Sequence, residues 1–378
     1  MFPARPGKGM EIKNLFLPWR SNRVRRLIRE KTLRRIAASN GQEKRTPAPI
    51  STQLIASFIA GQYGLDVTEP PIVINGGRES SVWSIKTTGG DWIVKACDPR
   101  QGPFRKVQEE VKLYGYLNEQ GFHAPVVLPT REGSSVARLL INEQVHTLIL
   151  MRLERLRRCR PTSIGAEELI KIAQTVARMH AALREYHVRD RLFDATSPEP
   201  VNGAYAKLSA SPNSDAFDSA ELASLEALDQ RMVRYVLDSQ SKDQLTGSVL
   251  HGDLHLEHAQ FLPDGEVYLF DFGDRTRGPV AHELAVTLGY LYSAEDVSFE
   301  RWEELKRWLL SGYTSVQELT PADLNALRPL IIHRLLKEIA FLSDEATALG
   351  AEVDSQGIRR RYELAGYLLK SAESGAPL

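Results

Sequence analysis

At 378 residues the chain exceeds the size that one hydrophobic core commonly serves, so two lobes are expected, each burying its own apolar face. Its 42% apolar and 25% charged residues are ordinary for a globular protein, and two cysteines without a CxxC spacing, Cys97 and Cys159, exclude both a secreted disulfide framework and a zinc or dithiol site. Net charge is zero, no apolar run approaches the ~20 residues of a membrane helix, and Asn14 to Trp19 is too short and Pro-broken for a signal core, so a cytoplasmic protein is expected.

The charge is unevenly placed: residues 1–47 hold 13 Lys and Arg against 3 Glu, a net of +10, which leaves −10 on residues 48–378. Helix-forming residues run from Arg20 to Arg35, with Val24, Leu27, Ile28, Leu33 and Ile36 spread around the wheel. Residues 1–47 therefore form a basic arm, partly helical or disordered. It is either a solvated segment or one that attracts an anionic partner, such as nucleic acid or a membrane surface.

After a Pro-rich linker, residues 48–151 form an N-terminal lobe. Ser51 to Tyr63 is a helix capped by Ser51 or Thr52, with Leu54, Ile55, Phe58 and Ile59 on one face and Gly64 stopping it. Pro71 to Ile74, Ser81 to Lys86 and Trp92 to Ala96 alternate like strands of an antiparallel meander, punctuated by Gly76-Gly77 and Gly89-Gly90. Gly76, Gly77, Ser80 and Ser81 would let backbone N–H groups approach a phosphate, although a double glycine also marks an ordinary hairpin. Lys95, charged within an apolar strand, requires a partner, and Glu109 and Glu110 on the helix after Pro103 offer one. Val111, Leu113, Tyr114 and Leu117 give that helix its packing face. Val126 to Leu128, Ser135 to Leu140 and Val145 to Met151 complete the strands.

Residues 152–378 form a mainly helical C-terminal lobe. Ile164 to Tyr186 places Leu169, Ile172, Val176, Met179 and Leu183 at helical spacing, with His180 packing among them. Residues 187–216 suggest a long loop or a broken insertion, and Ser219 to Leu237 returns to helix. Beyond Asp271 the pattern is helical throughout: His282 to Leu291, Ser298 to Ser311, Pro321 to Leu342 and Arg359 to Ser371. The acidic cluster Glu295, Asp296, Glu300, Glu303 and Glu304 fits either a cationic substrate or ordinary acids at a helix start.

The chemistry concentrates between Ser248 and Ala285. His251-Gly252-Asp253 leaves a short apolar run, His258 follows five residues after Asp253, and a Pro-Asp-Gly turn joins Ala259 to Leu262 with Val267 to Phe270. Such a hairpin brings His258 and Asp271 together at one end. That sparse ligand set suits magnesium, which keeps several waters and takes phosphate oxygens. Asp253 is left free to accept the proton of a hydroxyl attacking a phosphate.

His251-Gly252-Asp253-Leu254-His255, Asp271-Phe272-Gly273-Asp274, and Gly278-Pro279 before Glu283-Leu284-Ala285 resemble the aminoglycoside phosphotransferase and choline kinase family. The resemblance spans roughly residues 52–345 and implies an α+β, bilobal protein-kinase-like fold, with an antiparallel-sheet N-lobe carrying one main helix. It implies Asp253 as catalytic base, His258 and Asp271 as Mg2+ ligands, and Lys95 held by Glu110 on the phosphates of ATP or GTP. Glu110 is preferred to Glu109 because it lies seven residues before Leu117. Met151 would border the purine and Leu153 would offer main chain. His258 departs from the commoner Asn and resembles the 2''-phosphotransferases, where imidazole is a softer ligand than an amide. The expected activity is phosphoryl transfer to a hydroxyl of a small molecule, aminoglycoside-, choline- or homoserine-like. A protein Ser/Thr kinase of the bacterial stress-response type and a nucleotide-binding pseudokinase are the alternatives.

Overall fold

The computed structural model describes residues 51–74, 80–97, 104–141, 144–186, 204–211, 214–238, 245–293, 297–349, 355–376 and 378. The basic arm, Gly76, Gly77, Glu295 and Asp296 lie outside these.

A helix (α1, Thr52–Tyr63) leads into strands β1 (Ile72–Ile74), β2 (Ser80–Thr87) and β3 (Gly90–Cys97), then α2 (Phe104–Glu119), β4 (Val127–Leu128), β5 (Ala137–Ile141) and β6 (Gln144–Arg152). The strands form one antiparallel sheet in the order β1-β2-β3-β6-β4, with β5 also pairing with β6. Alternation along the strands sends Trp83, Ile85, Val94, Ala96, Leu148 and Leu150 into a core that α1 covers with Ile55, Ile59 and Tyr63. Of the four residues expected on the α1 face, Ile55 and Ile59 are buried, whereas Leu54 is exposed and Tyr63 takes its place. The start at Ser51 has no side-chain cap, while Gly64 ends the helix in the left-handed conformation with its N–H on the Ala60 carbonyl.

The second helix serves both halves. Val107 and Val111 pack under the sheet with Cys97 and Ile149, while Leu113, Tyr114 and Leu117 join the large C-terminal core. That core is built on α3 (Ala166–Leu183), α4 (Ala204–Ser209), α5 (Ser219–Asp238), α6 (Val280–Ser293), α7 (Phe299–Thr314), α8 (Pro321–Leu349) and α9 (Ser355–Glu373). Helices α3 and α7 meet so closely that a Cβ at Gly312 would stand 2.7 Å from the Ile170 carbonyl oxygen, so only glycine fits there.

Two antiparallel pairs carry the chemistry-bearing loops: β7 (Gly247–Leu250) with β10 (Thr276–Pro279), and β8 (Ala259–Phe261) with β9 (Val267–Leu269). The Pro-Asp-Gly hairpin is as expected, closed by Leu262 N–H to the Glu266 carbonyl at 2.9 Å. Of the two alternatives for 187–216, the described residues fit the broken insertion: they hold α4, whose Ala204 and Leu208 supply core contacts, and a 3-10 turn at Ser214–Ala216. One expectation is corrected. The segment after Asp271 is first a 3-10 turn (Phe272–Asp274) and then β10, because pairing with β7 satisfies its backbone before the helix begins at Val280. Among the described residues no helix is long and apolar enough to cross a membrane.

Candidate active site

Lys95 lies in the middle of the sheet, opposite Val82 on one side and Ile149 on the other. Its ammonium contacts Glu110 Oε1 at 3.2 Å and Asp271 Oδ1 at 2.7 Å. Burial alone would push the amine down, but the charges of Glu110 and Asp271 outweigh it and hold the pKa well above the ordinary lysine value. Tyr114, one helical turn after Glu110, donates its hydroxyl to Glu110 Oε1 at 2.6 Å and accepts from the Asp271 backbone N–H at 3.2 Å. Asp271 is the one non-glycine residue at positive φ among the described residues (φ 67°). A left-handed aspartate is strained and must be held from outside, here by Tyr114 on its backbone and Lys95 on its side chain.

The His251-Gly252-Asp253 loop is held from below by Glu283 of α6, fully buried, whose carboxylate accepts the N–H groups of His251 and of Gly252, the latter at 3.2 Å. Burial pushes this carboxyl up, yet the His180 ring and the His251 ring and backbone N–H bring it below the usual range. His180, fully buried, reaches Tyr313 with Nδ1 at 2.9 Å and stands 3.6 Å from Glu283 with Nε2. Gly252 has φ 88°, and a Cβ there would lie 1.8 Å from the Asp274 carbonyl oxygen. The two loops are therefore pressed backbone to backbone.

Three imidazoles line up beside these loops, His251 stacked on His258 at 5.4 Å and His258 tilted against His255 at 3.8 Å between ring centroids. Hydrogen bonds fix their tautomers. His251 accepts the Asp253 N–H at Nδ1 and so donates from Nε2 to the Phe270 carbonyl at 2.8 Å. His255 accepts the Glu257 N–H at Nδ1 and so carries its proton on Nε2, 3.6 Å from Asp253 Oδ2. His258 does the reverse: Nδ1 donates to the Asp253 carbonyl at 2.9 Å, leaving Nε2 to face Asp271 Oδ2 at 3.6 Å. A lone pair and a carboxylate facing each other are a place for a cation, and an N–H held by a backbone carbonyl is the usual support of a ligating histidine. His258 and Asp271 thus fit a divalent ion. Asp253, His255 and His258 also cluster within 4.8 Å, but the His255 proton points at Asp253, which makes that ring a donor and not a ligand.

Burial, with His255 and His251 alongside, lowers the His258 pKa to about 4, and burial lowers that of His282 on α6 to about 4 as well. Histidines depressed in the folded state bind fewer protons than in the unfolded chain, so their stabilisation is complete above pH 6.5 and lost as pH falls towards 4, by ~2 kcal/mol each at pH 5. Asp229, which burial pushes up to about 6, acts in the opposite sense. The check is therefore a difference: the loss in urea midpoint from pH 7.5 to pH 5 should be clearly smaller in His282→Asn than in wild type. Equal losses would contradict the assignment.

Asp253 Oδ1 accepts from Arg334 Nη2 of α8 at 2.7 Å. Burial would raise its carboxyl, but His255 and the Arg334 charge outweigh it and hold the group ionised, well below the usual carboxylate range. Asp271 is likewise pulled down to about 2, burial being overcome by Lys95 and His258.

Of the residues singled out in the sequence, Lys95, Glu110, Asp271 and His258 meet in one linked group, and the Asp253 backbone joins it through His258. Ser80 and Ser81 lie opposite Cys97 and Ala96, beside Lys95 on the sheet. Met151 pairs with Ile93 and Val127, at the edge of both cores. The Leu153 N–H donates to the Asp91 carbonyl at 3.1 Å. Glu303 and Glu304 pair with Lys306 and Arg301 of their own helix. Arg334 and the polar roles of Tyr114 and Glu283 were not singled out. Tyr114 had a signal, its one-turn spacing from Glu110; Arg334 had none.

A model described as the phosphotransferase enzyme family matches residues 72–319. Similar proteins include a homoserine kinase of Gluconacetobacter diazotrophicus, 25% identical over 66% of this chain and 73% of that one. A homoserine kinase of Pseudomonas aeruginosa is 24% identical over 73% of this chain and 80% of its own. Among solved structures, an amicoumacin kinase in complex with AMP-PNP and Ca2+ superposes with a TM-score of 0.66 at 16% identity, covering 89% of this chain and 97% of that one. A spectinomycin phosphotransferase in complex with ADP gives 0.66 at 14% identity, covering 86% and 99%.

Proposed function

Because this chain belongs to the phosphotransferase enzyme family and is a small-molecule kinase, we propose that it moves the γ-phosphoryl of ATP or GTP to a hydroxyl of a small metabolite, homoserine-like in size, in the cytoplasm. The observation that carries this reading is the meeting at Asp271, where Lys95 reaches one carboxylate oxygen and His258 Nε2 faces the other. Lys95, braced by Glu110, is placed to hold phosphate oxygens, with Ser80 and Ser81 at the start of β2, beside Lys95 on the sheet, as the second phosphate contact. Met151 and the Leu153 main chain border the purine. His258 and Asp271 would hold Mg2+, which when bound supplies charge neutralisation across the phosphates.

Asp253 is the residue that receives the acceptor hydroxyl. A carboxyl held this low is a weak base, so its main contribution is orientation: it accepts the hydroxyl's hydrogen bond, and the proton follows only as the oxygen–phosphorus bond forms.

The test is transfer of γ-labelled phosphate from ATP, and separately GTP, to pooled hydroxy metabolites, with wild type against Asp271→Ala. A labelled product from wild type and at least a hundredfold less from the variant is expected, because positioning and charge neutralisation provide most of the catalysis. Undiminished magnesium-dependent transfer by Asp271→Ala would overturn the assignment.

A further inference from the structure

The acceptor side of Asp253 carries an arginine that phosphate handling does not use. Helix α8 is anchored at its first turn, where Asp323 accepts the N–H and hydroxyl of Thr320 at 3.0 and 2.8 Å and those of Thr246 at 2.9 and 2.7 Å. Thr246 immediately precedes β7, the strand that delivers Asp253. About three turns further along the helix, Arg334 presents its guanidinium to Asp253.

The guanidinium is oriented on two sides. Its Nε donates to Glu338 Oε1 at 2.7 Å and its Nη2 to Asp253 Oδ1 at 2.7 Å, while Glu338 is itself fixed by Arg361 Nε at 2.7 Å on Oε2. Nη1 has no partner among the described residues, and the side chain is 26% exposed. Asp253, Arg334, Glu338 and Arg361 form a line of alternating charge with no net excess. An ammonium group arriving beside the acceptor hydroxyl would meet a guanidinium at short range, whereas a carboxylate would find an oriented, vacant N–H.

We infer that Arg334 is a specificity-determining residue: its Nη1 binds a carboxylate carried by the acceptor, so the enzyme's substrates are hydroxy acids or hydroxy amino acids. The inference rests on the phosphotransfer reading above and narrows its acceptor. A hydroxyl on Asp253 and a carboxylate on Nη1 of the same guanidinium, each at hydrogen-bond distance, fit a molecule whose two groups are about two to four carbons apart. The fork shape of arginine suits a planar anion better than an ammonium would. Because the same guanidinium touches both the base and the substrate anion, binding the correct acceptor and aligning its hydroxyl are one event.

The experiment uses matched acceptors: 4-hydroxybutyrate and 2-amino-4-hydroxybutanoate, each against its carboxamide, and 3-aminopropanol, with wild type, Arg334→Gln and Arg334→Lys. Wild type should favour each acid over its amide by at least fiftyfold in kcat/KM. Arg334→Gln should collapse that ratio to below fivefold through the KM for the acid, leaving the KM for nucleotide unchanged, and Arg334→Lys should restore part of it. Calorimetric binding of butyrate in the presence of AMP-PNP, lost in Arg334→Gln, reads the same contact without turnover.

If Arg334 only positions Asp253, the variants lower kcat for acid and amide equally and the ratio stays. That result overturns the inference, as does preference for 3-aminopropanol, and both leave the kinase standing. Absence of transfer to any hydroxyl compound would instead overturn the phosphotransfer reading itself.

Discussion

Replacing Asp253 by Asn is expected to lower kcat by about a hundredfold to ten-thousandfold while leaving nucleotide affinity and the fold in place. Asparagine keeps an oxygen for Arg334 and for the attacking hydroxyl, but not the negative charge that draws the proton away as the oxygen commits to phosphorus. The variant leaves Arg334 one carboxylate short. That loss is bearable because Nε still rests on Glu338 and the guanidinium is partly open to solvent. The Asp253 carbonyl that orients His258 is main chain and survives the change. Single-turnover transfer from bound labelled ATP isolates the chemical step, and calorimetry with AMP-PNP reads the nucleotide site. A rate within threefold of wild type would remove Asp253 from the chemistry.

What the sequence discloses about such a site depends on how each contact is encoded. Lys95 is legible because a lone charge in an apolar strand demands a partner, and the partner is on the next helix. Asp253, His258 and Asp271 are legible because a short loop and a hairpin fix their separation locally. Arg334 is not, since it reaches Asp253 from 81 residues away and sits on its helix like any half-exposed arginine. Tyr114 reads from the pattern as an apolar packing residue, which it also is; its edge-to-face contact with Phe272 (ring centroids 6.0 Å apart) packs while its hydroxyl ties Glu110 to Asp271. The β7–β10 pair escaped notice because Thr276 to Pro279 holds a glycine and a proline and has no strand signature; its partner across the sheet makes it a strand.

Glu283→Ala is expected to be among the most destabilising single substitutions in the chain, by ~3–5 kcal/mol, and to damage catalysis before it unfolds the protein. The buried carboxylate is the acceptor for two consecutive backbone N–H groups, those of His251 and Gly252, and the nearest anion to the His180 ring. Removing it leaves those donors without their acceptor in a fully buried place. The loop cannot relax towards the opposite side, because Gly252 already touches the Asp274 backbone there. It must therefore shift or open, carrying Asp253 off the acceptor and, through the Asp253 carbonyl, turning His258 away from Asp271. Glu283→Gln separates the two effects. Its amide oxygen can still accept one N–H while its NH2 group opposes the other, so stability should fall by only ~1–2 kcal/mol with kcat reduced more than tenfold well below the unfolding temperature. Urea midpoints paired with kcat at a fixed low temperature decide the matter: a Gln variant as active as wild type would mean that the catalytic loop holds its shape without the buried acid.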